Sequence, residues 1–324
     1  MESTSTSRPG PPSLNWDQLD CTAKFDYLKI YSLKQIRFPK LTRTHHWIRL
    51  PYGYDGFYLT VQDPLLPDIE KLIEYLGDPK IESIQLTVDL KPISAVSSTH
   101  LEHLLLETFH AVAGRFRPED ATRWSYGMRG GVDGAGKNPK PFHRRFPEPD
   151  EELVYGRRNG WMQSTAYLKR TNEGKDLDPI EQRMRMELTL ISEGVTSFGI
   201  VRLSDLCGFN YRPAFTKHFR IVDQPRLKAR NSRDEAEIVK KERRMWRAWQ
   251  TAGVGKFGIS HEFPPDTLNQ NIDQILVRDK QQLPLSDFVL MRDQRATKEI
   301  GNAFRQLQRR MTVKKTRAVK LHKI

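Results

Sequence analysis

Three oxygen-bearing side chains each sit in the middle of an apolar alternation: Asp89 in "LTVDL", Tyr167 in "TAYLK" and Glu187 in "RMELTL". A carboxylate at such a position is costly to bury unless it is paired or bound to metal. If the three strands neighbour one another, two carboxylates and a phenol meet on one sheet face. Two hard oxygen ligands suit Mg2+ or Mn2+, with waters and a phosphate oxygen completing the octahedron. Tyr167, with an unperturbed phenol pKa of about 10, would then need a metal-polarised phosphate and cations such as Lys169 and Arg185 to attack at neutral pH. A solvated strand face is the plainer account of each residue taken singly.

The elements that must position them are legible. "FDYLKIYSLKQIRF" and "HHWIRLPYGYDGFYLTVQDP" read as strands, the second interrupted by a Pro-Tyr-Gly-Tyr-Asp-Gly turn. Leu66, Ile69, Leu72, Ile73 and Leu76 repeat at helical spacing, and Gly77 and Pro79 end the run. "IESIQLTVDLKP" is a strand with Ile84, Leu86 and Val88 on one face and Gln85, Thr87 and Asp89 on the other. Residues 98–113 form a second helix with a Ser/Thr cap signal. Residues 128–150, rich in Gly, Pro and charge, read as a long exposed loop. "VYGRRNGWMQSTAYLKR" supplies two strands and "EQRMRMELTLIS" another, in which Met184, Met186, Leu188 and Leu190 alternate with Arg183, Arg185, Glu187 and Thr189.

The expected fold is therefore α+β, a central mostly antiparallel sheet with helices packed on it, followed by a smaller, mainly helical basic lobe. The boundaries expected are a disordered polar tail over 1–18, an α+β catalytic domain over 19–202 and a basic helical DNA-binding region over 203–324.

Charge separates the last two regions. Residues 203–324 hold 26 Lys/Arg against 13 Asp/Glu, while 1–202 hold 27 against 27, so the whole +13 lies in the C-terminal part. A basic region joined to a neutral one implies contact with a polyanion, most simply nucleic acid. The two cysteines, Cys21 and Cys207, have no metal-ligand spacing, which speaks against a zinc finger or a disulfide framework. No stretch approaches the roughly 20 apolar residues of a membrane span. A cytoplasmic, bacterial setting with no membrane partner is expected.

"LSDLCGFNYRPAFTKHF", residues 203–219, has the rhythm of a helix-turn-helix presenting Arg212, Lys217 and His218. It also fits a helix docked on the sheet through Leu206, Phe209, Phe215 and Phe219. The helix over 234–250, with Lys240, Lys241, Arg243, Arg244 and Arg247, and the tail Arg309 to Lys323 are candidates for sequence-indifferent phosphate contacts. In "RTHHWIRL" adjacent strand residues face opposite ways, so at most one of His45 and His46 can join a site; an edge histidine pair is the blander account. His143 reads as solvent-facing loop.

Taken in order, Asp63-Pro64, Asp89, Tyr155-Gly156, Arg158, Tyr167, Lys169, Arg185 and Glu187 resemble the trans-acting Rep family of plasmid rolling-circle replication initiators, over about residues 55–192. The resemblance implies a metal-dependent site-specific nickase whose tyrosine holds the 5′-phosphate covalently and leaves a 3′-hydroxyl primer. It implies Tyr167 as nucleophile with Lys169 beside it, Asp89 and Glu187 as ligands of Mg2+ or Mn2+, and Arg157, Arg158, Arg170 and Arg185 on DNA. It also implies origin DNA, single- and double-stranded, host helicase and polymerase, and a second copy as homodimer as partners. Two positions depart from the family's pattern, Gln85 and Val61 standing where acids are usual. The rival reading is an initiator that only binds repeated origin sites and recruits helicase; a third is a conjugative or phage-type strand transferase.

Overall fold

The computed structural model describes residues 15–33, 35, 41, 43, 45–51, 55–94, 97–114, 126–127, 152–155, 161–172, 174–216, 218–227, 235–252, 288–289 and 291–312. The expected loop over 128–150, the tail before residue 15, Arg157, Arg158, Lys217 and residues 313–324 lie outside them.

Alternating β-branched, aromatic and leucine residues build β1 (Leu19–Ser32), β2 (His45–Arg49) and β3 (Phe57–Gln62). Next comes α1 (Leu66–Leu76), whose start is held by the Asp68 carboxylate accepting from the Leu65 N–H at 3.1 Å. It ends at Gly77 in the left-handed region, φ 68°, where glycine carries no Cβ penalty. Then follow β4 (Ile81–Pro92) and α2 (Ser98–His110), the latter capped by Ser97 Oγ on the His100 N–H. Short strands β5 (Val112–Gly114), β6 (Tyr126–Gly127) and β7 (Glu152–Tyr155) lead to β8 (Met162–Lys169). A small hairpin, β9 (Thr171–Asn172) with β10 (Lys175–Asp176), precedes β11 (Arg183–Ile191).

Eight strands form one sheet in the order β2-β3-β1-β4-β11-β8-β7-β6, every pairing antiparallel. The α+β reading with a central antiparallel sheet holds. Its apolar face is the one foreseen: Ile84, Leu86, Val88 and Leu90 of β4 and Met184, Met186, Leu188 and Leu190 of β11 are all fully buried. Helix α2 packs across β4, β11 and β8 on that face.

The remaining elements are α3 (Glu193–Ser197), α4 (Tyr211–Thr216), β12 (Phe219–Ile221), β13 (Arg226–Leu227), α5 (Glu235–Ala252), β14 (Phe288–Val289) and α6 (Gln294–Arg310). The 202/203 boundary marks a change in composition. The packed elements on either side of it share one buried cluster, running from Trp16 through the sheet to Phe304 and Met311. Helix α6 lies along β1, Tyr211 meets the Phe25 ring edge-on at 5.1 Å, and β12 pairs with β5.

The two-helix rhythm over 203–219 is not what forms. Leu203–Leu206 is a single 3-10 turn, and α4 is six residues long with Tyr211, Ala214 and Phe215 buried, so apolar docking wins over a groove-reading pair. Phe219 lies on β12 rather than on a helix. Among the described residues, no helix is long and apolar enough to cross a membrane.

Candidate active site on the polar face

Antiparallel register decides which side chains share the other face. One row runs Thr22, Asp89, Arg185, Tyr167 across β1, β4, β11 and β8; the next runs Lys24, Thr87, Glu187, Thr165; a third runs Tyr27, Gln85, Thr189, Gln163. Asp89, Tyr167 and Glu187 thus occupy neighbouring positions on three adjacent strands, as their alternation demands.

The Tyr167 hydroxyl donates to Glu187 Oε1 at 2.8 Å. Gln85 Nε2 donates to Glu187 Oε2 at 3.1 Å and to Thr189 Oγ1 at 3.0 Å. Arg185 is the hub: its Nε and Nη2 form a bidentate pair with Asp89 at 2.6 and 2.8 Å, and its Nη1 lies 3.2 Å from Asp26 and 3.6 Å from Glu187. The Arg185 side chain is only 1% exposed. Arg183 Nε adds a second cation 3.2 Å from Asp89, and Lys24 bridges Asp26 at 3.3 Å and Asp63 at 2.9 Å.

Asp26 follows Thr22 and Lys24 onto this face at two-residue spacing, and a bulge in β1 between Phe25 and Tyr27 leaves it unpaired against β4 and sets Tyr27 on the same face. The sequence carries a trace of it: the buried positions run 23, 25, then 28, 30. Counted back from Leu28 and Ile30, alternation turns Asp26 towards the core; only the count from Ala23 and Phe25 brings it here.

Electrostatics follow the geometry. Burial pushes the Tyr167 phenol up, and the adjacent Glu187 charge pushes it further, against the opposing pull of Arg185. The resting phenol is therefore neutral and hands its hydrogen bond to Glu187. Burial alone would lower the Arg185 pKa, but the hydrogen bond and charge of Asp89, then Asp26, outweigh it and hold the guanidinium cationic. Lys169, half-buried two residues beyond Tyr167 and paired with Arg183 in register, is lowered by burial and then by Arg185 and Arg183. It makes no ion pair among the described residues.

The expected metal ligands do not fit a divalent cation here. Both Asp89 oxygens accept from Arg185 and both Glu187 oxygens accept from Tyr167 and Gln85, so the guanidinium stands where a cation would bridge the two acids. Among the described residues no group of three or more His, Cys, Asp or Glu could hold a metal ion. The acids usual at the Gln85 and Val61 positions are absent: Gln85 serves as a donor and Val61 is fully buried on the apolar face. His45 and His46 pair with Val61 and Thr60, on opposite faces of β2, three strands from Asp89.

The other candidate residues fall at the surface. Arg170 pairs with Glu102 at 3.2 Å. Arg185, expected on phosphate, is instead buried among carboxylates. Arg212 is exposed and lies over Gly301 of α6, where a Cβ would stand 3.2 Å from its Nε. On α5, Lys240, Arg243 and Arg244 are exposed, Lys241 pairs with Glu237 at 3.0 Å, and Met245 and Trp249 anchor the helix by burial.

No family model matches the sequence, and no curated protein does. Among solved structures the chain is similar to the rolling circle replication initiator protein from Geobacillus stearothermophilus, with 11% identity, 72% of this chain and 100% of that chain covered, and a TM-score of 0.33. What fold and site define on their own terms is an antiparallel-sheet protein with a phenol, its hydrogen-bond acceptor and, two residues along the same strand, a lysine without an ion pair among the described residues, all on one polar face.

Proposed function

We propose that the chain is a DNA replication initiator that cuts one strand through Tyr167. The Tyr167 oxygen attacks a backbone phosphorus, its proton passes to Glu187, and the P–O3′ bond breaks. A 5′-phosphotyrosyl link and a 3′-hydroxyl result, the departing oxygen taking a proton from Lys169 or water. Rejoining is the reverse displacement by the 3′-hydroxyl. Lys169, which makes no ion pair among the described residues although Asp26 and Asp89 act on it from further off, binds the non-bridging phosphate oxygens as an ammonium. Arg185 does not touch substrate in this scheme; bidentate on Asp89, it fixes the row that carries Tyr167, next to the row that carries Glu187. No step passes through Mg2+ or Mn2+, because Asp89 is engaged by Arg185 and Glu187 by Tyr167 and Gln85.

The observation that carries this reading is the 2.8 Å bond from the Tyr167 hydroxyl to Glu187, on the face that also bears Lys169. The exposed cations of α5, Lys240, Arg243 and Arg244, supply sequence-indifferent phosphate contacts to the flanking duplex. The freed 3′ end is where helicase and polymerase would be recruited.

The test is a covalent adduct. Full-length protein is incubated with a labelled pool of single-stranded DNA of randomised sequence, denatured and resolved by mass. An adduct lost in Tyr167→Phe and depleted in Lys169→Ala is expected. Its absence with and without Mn2+ sinks the enzymatic reading and leaves a DNA-binding initiator.

A further inference from the structure

Away from Tyr167, the same polar face carries rings and a cation instead of an acid network. Register sets Tyr31 of β1 opposite Tyr58 of β3, and Lys29 opposite Thr60, with His46 and Ile48 of β2 completing the two rows. Lys29 Nζ lies 3.9 Å from the Tyr58 ring centroid, and the Tyr31 and Tyr58 rings meet edge-on at 6.3 Å. Tyr31 is pinned in place: its hydroxyl donates to the Asp55 carbonyl at 2.8 Å, and its ring covers Gly56 so closely that a Cβ there would stand 2.7 Å from it. Gly56 has φ +115°, a conformation that side-chain-bearing residues rarely adopt. Ile48 is 49% exposed and His46 is exposed. Lys29 forms no ion pair among the described residues.

The cross-strand ring pair and the ammonium over Tyr58 stabilise the sheet modestly, and they also leave an exposed aliphatic side chain and a cation without an ion pair among the described residues beside two rings. Unstacked nucleobases use all of these: a π-face for the base and a cation for the adjoining phosphate. We propose that β1, β3 and β2 form a stacking platform for a single-stranded stretch of the DNA substrate, one base on Tyr58 and its phosphate on Lys29. This rests on the reading of Tyr167 as acting on DNA, with which the platform shares one continuous sheet face. By strand spacing and rise the two lie about 30 Å apart, so the platform takes bases several nucleotides from the scissile phosphate. Duplex DNA, whose bases already stack on one another, gains little from it.

The test needs no cleavage. Fluorescence anisotropy on the full chain compares a labelled single strand of mixed sequence with its own duplex. Tyr58→Ala is expected to weaken single-strand binding about 5- to 150-fold, the loss of one stacked base, and to leave duplex binding unchanged. Tyr58→Phe, which keeps the ring, should bind as the parent does and shows that the strand still folds. Lys29→Ala should lower the slope of log affinity against log salt by about 0.7. Unchanged single-strand affinity in Tyr58→Ala, or an equal loss for duplex and single strand, overturns the platform. Adduct formation is scored separately with a short oligonucleotide, so a failed platform leaves Tyr167 chemistry standing, and a failed adduct leaves the stacking result standing.

Discussion

Replacing Glu187 with Gln separates two roles that the 2.8 Å bond to Tyr167 confounds. As a negative charge, Glu187 opposes phenolate formation. At that separation, and at an effective dielectric of about 20 to 40, the repulsion is about 3 to 6 kcal/mol, which adds to burial in raising the phenol. Arg185, 3.6 Å from the same oxygen, offsets part of it. Glu187→Gln therefore lowers the Tyr167 pKa, read by ultraviolet titration against Tyr167→Phe. As a proton acceptor, the same carboxylate accelerates attack, and its loss should slow the reaction by about 10²- to 10⁴-fold. The adduct rate measured across pH distinguishes the two. Slow chemistry near neutrality that recovers at high pH, where the phenol ionises unaided, supports the acceptor role. A rate at neutral pH equal to or above that of the parent would refute it, and Glu187 would then be a neighbour that the nucleophile tolerates.

Arg185→Met should lower unfolding stability in urea by about 3 to 5 kcal/mol, because it strands Asp89 and leaves Asp26 and Glu187 with one cation fewer. The same substitution frees carboxylate oxygens, so Mn2+ binding followed by electron paramagnetic resonance should be stronger in the variant than in the parent. His110 is buried, its Nε2 has no hydrogen-bond partner among the described residues, and burial followed by the His103 charge lowers its pKa to about 4. Its unfolded value is higher, so the unfolded state binds the proton first. The stability that His110 contributes is complete above pH ~6.5 and falls by up to about 3 kcal/mol towards pH ~4. His110→Leu should flatten that acid limb in urea titrations run across pH; an unaltered limb would show that another group titrates there.

Most of the sheet could be read from alternation alone. The strands around Asp89 and Glu187 carry four apolar residues in strict two-residue steps, and a slip of one residue would bury the acids. That constraint also brought Tyr167 to the same face. The partners of these residues were not legible. The bulge that turns Asp26 and Tyr27 to one face is a tertiary accommodation that alternation does not encode. The position of Arg185 among three carboxylates depends on side-chain reach across β4 and β1, where sequence shows only a strand arginine of the type that contacts phosphate. Residues 203–219 left two readings open for another reason: their helical rhythm is set by apolar residues that dock into the core, and the same spacing serves a DNA-reading pair.

Arg310 donates to the Ala23 carbonyl at 2.5 Å and the Trp16 indole to Asp293 at 2.6 Å, so the start of β1 is clasped by residues nearly three hundred positions later. A ribosome must therefore finish α6 before the flank of its first strand is covered. Until then Ala23, and the part of Phe25 that Tyr211 does not meet, present an open greasy face to anything nearby. Expression halted at residue 202 should yield insoluble material, and a chaperone that shields nascent chains would be most needed during that interval.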